Sequence, residues 1–165
     1  KDTIPISLIC TGPQNAFYQV IEQRIAELDL HDHVSFLGIV PPEDLRGLYR
    51  AAQFLIFPSH FEGAGYPPIE AFHDGVPVAS SNATSLPEVV GDAGLLFDPY
   101  SVAAIQQAVH RMATDAELRE DLRNRGYQRL AIFRWDRVAR TYRALYRKLA
   151  HRSLTEEDKR LLSET

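Results

Sequence analysis

The chain has 165 residues, 45% apolar and 24% charged, which is the composition of one folded domain and not of a disordered or fibrous segment. The longest apolar run, Phe54-Leu55-Ile56-Phe57, is far short of the roughly 20 residues a membrane span needs, and a lone cysteine, Cys10, excludes a disulfide framework and suits a reducing, cytoplasmic compartment. Net charge is −4, unevenly spread: residues 1–104 hold four Lys/Arg against thirteen Asp/Glu, 105–152 twelve against five, and 153–165 two against four. The basic third fits solvated arginine-rich helix faces, or else peripheral contact with an anionic membrane face or another domain. It lacks the interleaved aromatics of a nucleic-acid platform, so no nucleic acid is expected.

Residues 4–10 (I-P-I-S-L-I-C) read as a buried strand that ends at Thr11-Gly12-Pro13. Residues 15–30 place Phe17, Val20, Ile21, Ile25 and Leu28 at helical spacing. A second strand at 34–37 is closed by Gly38. The helix predicted over 42–51 opens with prolines and then Glu43 and Asp44, which suits a first turn in both proline tolerance and charge. A third strand (53–57), a short helix (67–73), a fourth strand (76–79), a short helix (86–90) and a fifth strand (95–97) follow. Residues 101–112, 116–132 and 136–151 then form three consecutive helices. Strands alternating with helices predict an α/β, Rossmann-like fold, with a parallel sheet covered by helices on both faces. The last long helix carries Val138, Tyr142, Leu145, Tyr146 and Leu149 as an apolar stripe, read as core packing. The expected organisation is one domain over 4–150 and a polar tail over 151–165.

In such sheets ligands lie beyond the carboxyl ends of the strands, where loops lead into helix N-termini. The richest of these loops is F-E-G-A-G-Y-P-P-I-E, residues 61–70. Gly63 and Gly65 permit positive φ or close approach of the backbone to a ligand. Pro67 and Pro68 start the helix and carry no N–H. That leaves the amides of Ala64, Gly65, Tyr66 and Ile69 free to cradle an anion such as a diphosphate. Glu62 and Glu70 approach this cradle from different backbone directions. Two acids around an anion site make sense if the ligand also offers hydroxyls, which carboxylates accept strongly. The plain alternative is a glutamate that favours the helix dipole and a second one solvated in a loop. Spacing alone leaves both open.

The stretch resembles the E-x7-E motif of the retaining family-4 glycosyltransferases, matched from Glu62 to Glu70. The surroundings agree: F-L-G-I-V-P-P-E-D-L-R-G-L-Y-R-A-A-Q-F-L-I-F-P-S (36–59), G-V-P-V-A-S-S-N (75–82), S-L-P-E-V-V-G-D-A-G-L-L-F-D-P (85–99) and Phe133-Arg134-Trp135. The likeness runs over residues 4–150. It implies the C-terminal, donor-binding half of a GT-B fold, lacking its first strand-helix unit and the basic pair that unit carries. It also implies transfer of a sugar from a nucleotide-diphosphate sugar with retention of configuration. The N-terminal acceptor domain would be a missing partner, and the fragment would be inactive alone.

By the same resemblance, Glu70 binds the ribose hydroxyls and Glu62 is the catalytic-site contact to the transferred sugar. Gly65, Tyr66 and Ala64 hold the diphosphate, Gly38, Ile39 and Val40 border the base, and Gly12 lies beside the nucleotide. No metal and no cofactor are expected. The family usually reads E-G-F-G-L-P where this chain has E-G-A-G-Y-P, which reshapes the sugar pocket while keeping the backbone amides. Other readings stay open: a non-catalytic nucleotide-sugar binding module, and a nucleotide-sugar epimerase of the same fold. A nicotinamide-dependent dehydrogenase lacks its G-x-G-x-x-G.

Several further residues carry expectations. His31-Asp32-His33 reads as a helix-to-strand turn and not a metal site. His60 lies near the sugar and His73 on a helix surface. Ser85-Leu86-Pro87-Glu88 has the form of a capping box, Asn82 and Ser85 face the cleft, and Trp135 packs at a helix start.

Overall fold

The computed structural model describes residues 5–163. Ile4, assigned above to the first strand, and the last two residues of the tail lie outside them. In chain order the elements are β1 (Leu8–Cys10), α1 (Tyr18–Glu27), β2 (Val34–Phe36), α2 (Pro42–Ala51), β3 (Leu55–Phe57), α3 (Tyr66–His73) and β4 (Val78–Ser81). They continue with α4 (Leu86–Val90), β5 (Gly94–Phe97), α5 (Val102–Thr114), α6 (Ala116–Arg129) with a 3-10 turn at Leu130–Ile132, α7 (Trp135–Leu149) and α8 (Glu156–Ser163). No described helix is long and apolar enough to cross a membrane.

Every strand pair is parallel, and β4 lies centrally in the order β3-β4-β5. All four β4 residues are buried, and their alternation feeds two cores. Val78 joins Ala71, Phe72, Val76, Val89, Val90 and Ala93, from α3, α4 and the turns beside them. Ala79 joins Phe97, Ala108, Met112 and Leu122, on the face covered by α5 and α6. This half is covered on both faces, as parallel strands require.

One continuous sheet, the simplest outcome of the alternation, is not what forms. β1 and β2 pair only with each other, apart from the three-stranded sheet. Leu8 and Ile9 of β1 are 44% and 47% exposed, so the strand read as buried is not. Each strand of the β1–β2 pair therefore keeps one edge without a strand partner among the described residues.

Much of the basic third is engaged within the chain. Arg123 donates to the Gly75 carbonyl (2.9 Å), Arg129 to those of Val89 (3.1 Å) and Glu88, Arg125 to Asp92 (3.3 Å) and Arg119 to Met112 (2.7 Å). Several of these carbonyls close helices, where a cation is favoured. In α7, Arg140 and Arg143 grip Glu157, and Arg143 and Arg147 grip Asp158.

Two expectations are corrected at the C-terminal end. The α7 stripe is not core: Tyr142, Tyr146 and Leu149 are exposed, as is Trp135, and only Ala144 of the helix is buried. The segment read as a polar tail contains α8, which lies against α7 with Asp158 and Leu161 buried. Its start is a reciprocal cap. The Thr155 amide donates to Asp158 Oδ2 (2.9 Å) and the Asp158 amide donates to Thr155 Oγ1 (3.1 Å), an aspartate version of the capping box.

Candidate functional site

The loops that leave β3, β4 and β5 form one rim at the carboxyl ends of those strands, and side chains tie them together. The Glu62 amide donates to Thr84 Oγ1 at 3.0 Å, and Ser85 Oγ donates to the Glu62 carbonyl at 2.9 Å. His60 stacks on Tyr100, with ring centroids 4.5 Å apart. The capping-box reading of Ser85 is therefore replaced. Its hydroxyl is turned to the neighbouring loop, and it makes no cap bond to α4.

Gly65 is the N-cap of α3 in the left-handed region, φ +62°. Proline follows within the first turn, so the chain turns sharply into the helix. Ile69, read above as free, is the fourth residue of α3, where the amide makes the first bond within the helix, to the carbonyl of the N-cap Gly65. Among the described residues, the amides of Ala64, Gly65 and Tyr66 have no hydrogen-bond partner. They sit at the positive end of the α3 dipole. Gly65 itself is buried against Leu86, while Ala64 and Tyr66 are exposed beside it.

Glu62 is half-buried ahead of this cradle, and Glu70 is exposed one turn into α3. Glu70 Oε2 accepts a hydrogen bond from the Tyr49 hydroxyl of α2 at 3.0 Å. Burial and the Glu70 carboxylate push the Tyr49 hydroxyl well above the usual tyrosine range, so it remains a donor. At the end of α3, Asp74 accepts from Arg46 (3.0 Å) and Arg50 (3.0 Å), and the Arg46 contact holds its carboxyl below the usual range.

Gly12 and Gly38 meet at the ends of β1 and β2: the Gly12 amide donates to the Gly38 carbonyl at 2.8 Å, and both glycines have positive φ. Ile39 and Val40 follow, and Ile39 is 80% exposed. The structure thus groups Glu62, Ala64, Gly65, Tyr66 and Glu70 on one loop-helix unit and Gly12 and Gly38 on another. α2 follows directly on the second group and contacts the first through Tyr49. Tyr49, Thr84 and Tyr100 were not singled out from sequence. Each acts through a partner 21 or more residues away, a relation that no local spacing encodes.

A rim of amides and carboxylates thus lies beyond the carboxyl ends of parallel strands, the place where ligands bind in open α/β sheets. The family model of glycosyl transferases group 1 matches residues 1–129, and the chain belongs to that family. It is 43% identical to the O-antigen chain mannosyltransferase B of Escherichia coli over 129 residues, 78% of this chain and 34% of that protein. It is 33% identical to the D-inositol 3-phosphate glycosyltransferase of Corynebacterium jeikeium over 147 residues, 86% of this chain and 35% of that protein. Among solved structures, a sucrose-phosphate synthase from Thermosynechococcus elongatus superposes with a TM-score of 0.78 at 31% identity, over 88% of this chain and 39% of that one. An Anabaena protein solved with UDP and glucose shares the fold, with a TM-score of 0.67 at 22% identity over 74% of this chain and 36% of that one. The chain spans about a third of the length of these curated relatives.

Proposed function

We propose that this chain is the donor-binding part of a glycosyltransferase that moves a hexose from a nucleotide-diphosphate sugar to an acceptor with retention of configuration. The observation that carries the reading is the set of unpartnered amides at Ala64, Gly65 and Tyr66, flanked by Glu62 and Glu70. A diphosphate with a sugar at each end meets all of these groups. The amides and the α3 dipole take the phosphates. Glu70 accepts from the ribose hydroxyls and Glu62 from those of the transferred sugar. Gly38, Ile39 and Val40 border the base, and Gly12 lines the nucleotide.

The site serves the reaction by stabilising charge where it develops. As the bond from the anomeric carbon to the diphosphate oxygen breaks, negative charge grows on the diphosphate, and preorganised amides hold it without a metal. The acceptor oxygen attacks the same face, forming its bond to the anomeric carbon, and passes its proton to the departing diphosphate oxygen. A further domain of a GT-B enzyme would hold the acceptor, so transfer requires more than these residues. The exposed apolar stripe of α7, with Tyr142, Tyr146 and Leu149, supports such a neighbour. The arginines of α6 and α7 are assigned to fastening the fold and not to a membrane face, and a cytoplasmic setting follows from the donor class.

The test is calorimetric titration of GDP, UDP, GDP-mannose and UDP-glucose. Glu70→Ala is expected to weaken free nucleoside diphosphate and donor alike by about tenfold or more, and Glu62→Ala only the sugar-bearing donor. Equal losses for both ligands in both variants would sink the division of roles. Binding without transfer by the full-length protein would favour a non-catalytic module.

A further inference from the structure

Three side chains from one face of α2 hold α3. Arg46 and Arg50 grip Asp74 at its C-terminal end, and Tyr49 lies between them with its hydroxyl on Glu70 Oε2 at 3.0 Å. The Tyr49 ring is half-buried against the core that contains Ala71, Phe72 and Val78, so its hydroxyl is delivered from a fixed place. Glu70, by contrast, is an exposed glutamate, which in isolation would sample several rotamers. Among the described residues the Tyr49 hydroxyl is the one hydrogen-bond partner of its carboxylate.

We propose that Tyr49 is a positioning residue for nucleotide recognition. It occupies Oε2 of Glu70 and aims Oε1 at a vicinal diol on the bound ribose. The inference rests on the reading of Glu70 given above. Its physical content is preorganisation: a carboxylate already held in one rotamer loses less freedom when it accepts a second and third hydrogen bond. α2 also follows the turn at Gly38, Ile39 and Val40, so one short helix joins the residues assigned to the base with the residue assigned to the sugar beside it.

The experiment titrates GDP and UDP, each against its 2′,3′-dideoxy analogue, into the parent chain, Tyr49→Phe, Glu70→Ala and the double variant. The parent is expected to prefer the ribonucleotide. Tyr49→Phe should cut that preference about three- to tenfold while leaving affinity for the dideoxy form within about twofold. In the Glu70→Ala background Tyr49→Phe should change nothing further. A merely structural tyrosine would weaken both forms alike. If Glu70→Ala keeps the ribose preference, or neither nucleotide binds the parent, the reading of the site fails. If Glu70→Ala abolishes the preference and Tyr49→Phe leaves it intact, the site stands and the assignment of Tyr49 falls. Should Tyr49→Phe not fold, the Tyr49 Cζ resonance of the parent gives the answer. It should shift with the ribonucleotide and not with the dideoxy form, and the absence of that difference overturns the proposal.

Discussion

Ser85 donates its hydroxyl to the carbonyl of Glu62 at 2.9 Å, while the adjacent Thr84 accepts the Glu62 amide at 3.0 Å. Both polar backbone groups of Glu62 are thus held by the β4–α4 loop. Ser85→Ala removes one of the two ties and leaves a carbonyl to find water, a loss of about 1 kcal/mol of stability. The larger effect should be on the ligand. Affinity for GDP-mannose or UDP-glucose is expected to fall several-fold, and affinity for GDP or UDP to stay within about twofold. Calorimetry on the two ligand pairs checks this. Parallel losses would mean that the tie serves the whole loop and not Glu62.

Gly65 is constrained twice. Its φ of +62° lies in the left-handed region, and a Cβ there would stand 2.7 Å from Leu86 Cδ2. Leu86 is fully buried and cannot step aside. The backbone term alone is about 1–2 kcal/mol, and overpacking adds about 1–3 kcal/mol. Gly65→Ala should therefore lower the urea midpoint clearly and weaken diphosphate binding, since the amides on either side turn with it. Gly63 is the control, with no positive φ and open space around its Cβ position. Gly63→Ala should be neutral or slightly stabilising.

The α7–α8 hairpin should be acid-sensitive. The Asp158 carboxyl is held far below its ordinary value of 3.8, first by the Thr155 amide and then by Arg147, with the Thr155 hydroxyl contact and Arg143 adding to them. Glu157 beside it is held low by Arg143 and Arg140. A carboxylate with a depressed folded-state value contributes stability that is fully present above its unfolded value. That stability is lost as pH falls through the folded one. The hairpin should thus keep constant stability from neutral pH down to about 5, then lose it progressively below about 4. Hydrogen exchange at the α8 amides between pH 3 and 6 would follow the change, and Asp158→Asn should flatten it. An unchanged acid profile in that variant would mean that other carboxylates govern the hairpin.

Much of this was legible because local chemistry and global position coincide. The prolines after Gly65 mark where α3 starts, and the structure leaves the Ala64, Gly65 and Tyr66 amides without partners among the described residues, while Ile69 is already bonded within the helix. The fourth strand, read at 76–79 in a parallel sheet covered on both faces, forms two residues later at Val78–Ser81 and is buried throughout. The failures lie where a residue's environment comes from elsewhere. Leu8 and Ile9 have the sequence of a central strand, yet among the described strands β1 pairs with β2 alone and both side chains stay exposed. Tyr142, Tyr146 and Leu149 have helical spacing but face outward, because periodicity locates an apolar face without naming what covers it. Ser85 and Glu88 match a capping box by letter, but the nearby Glu62 carbonyl offers the serine hydroxyl a partner that no short motif includes.

Gly126 in α6 meets the ring of Phe72, two residues beyond Glu70 on α3. A Cβ at Gly126 would stand 2.7 Å from Phe72 Cδ1, and Phe72 is only 1% exposed. Two opposed effects decide the outcome of Gly126→Ala. A glycine inside a helix is about 1 kcal/mol worse than alanine, which favours the substitution, whereas overpacking a filled core costs about 1–3 kcal/mol. The ring is held on several sides by Val76, Val78 and Val90, so the packing term should win and the variant should lose about 1 kcal/mol net. Phe72→Leu makes room at the contact point. The double variant should therefore be more stable than the sum of the two single losses predicts, with a coupling of about 1 kcal/mol. Urea melts of the four proteins measure that coupling. Strict additivity would mean that the ring shifts freely, and that α6 does not fix the seat of α3 on which Glu70 stands.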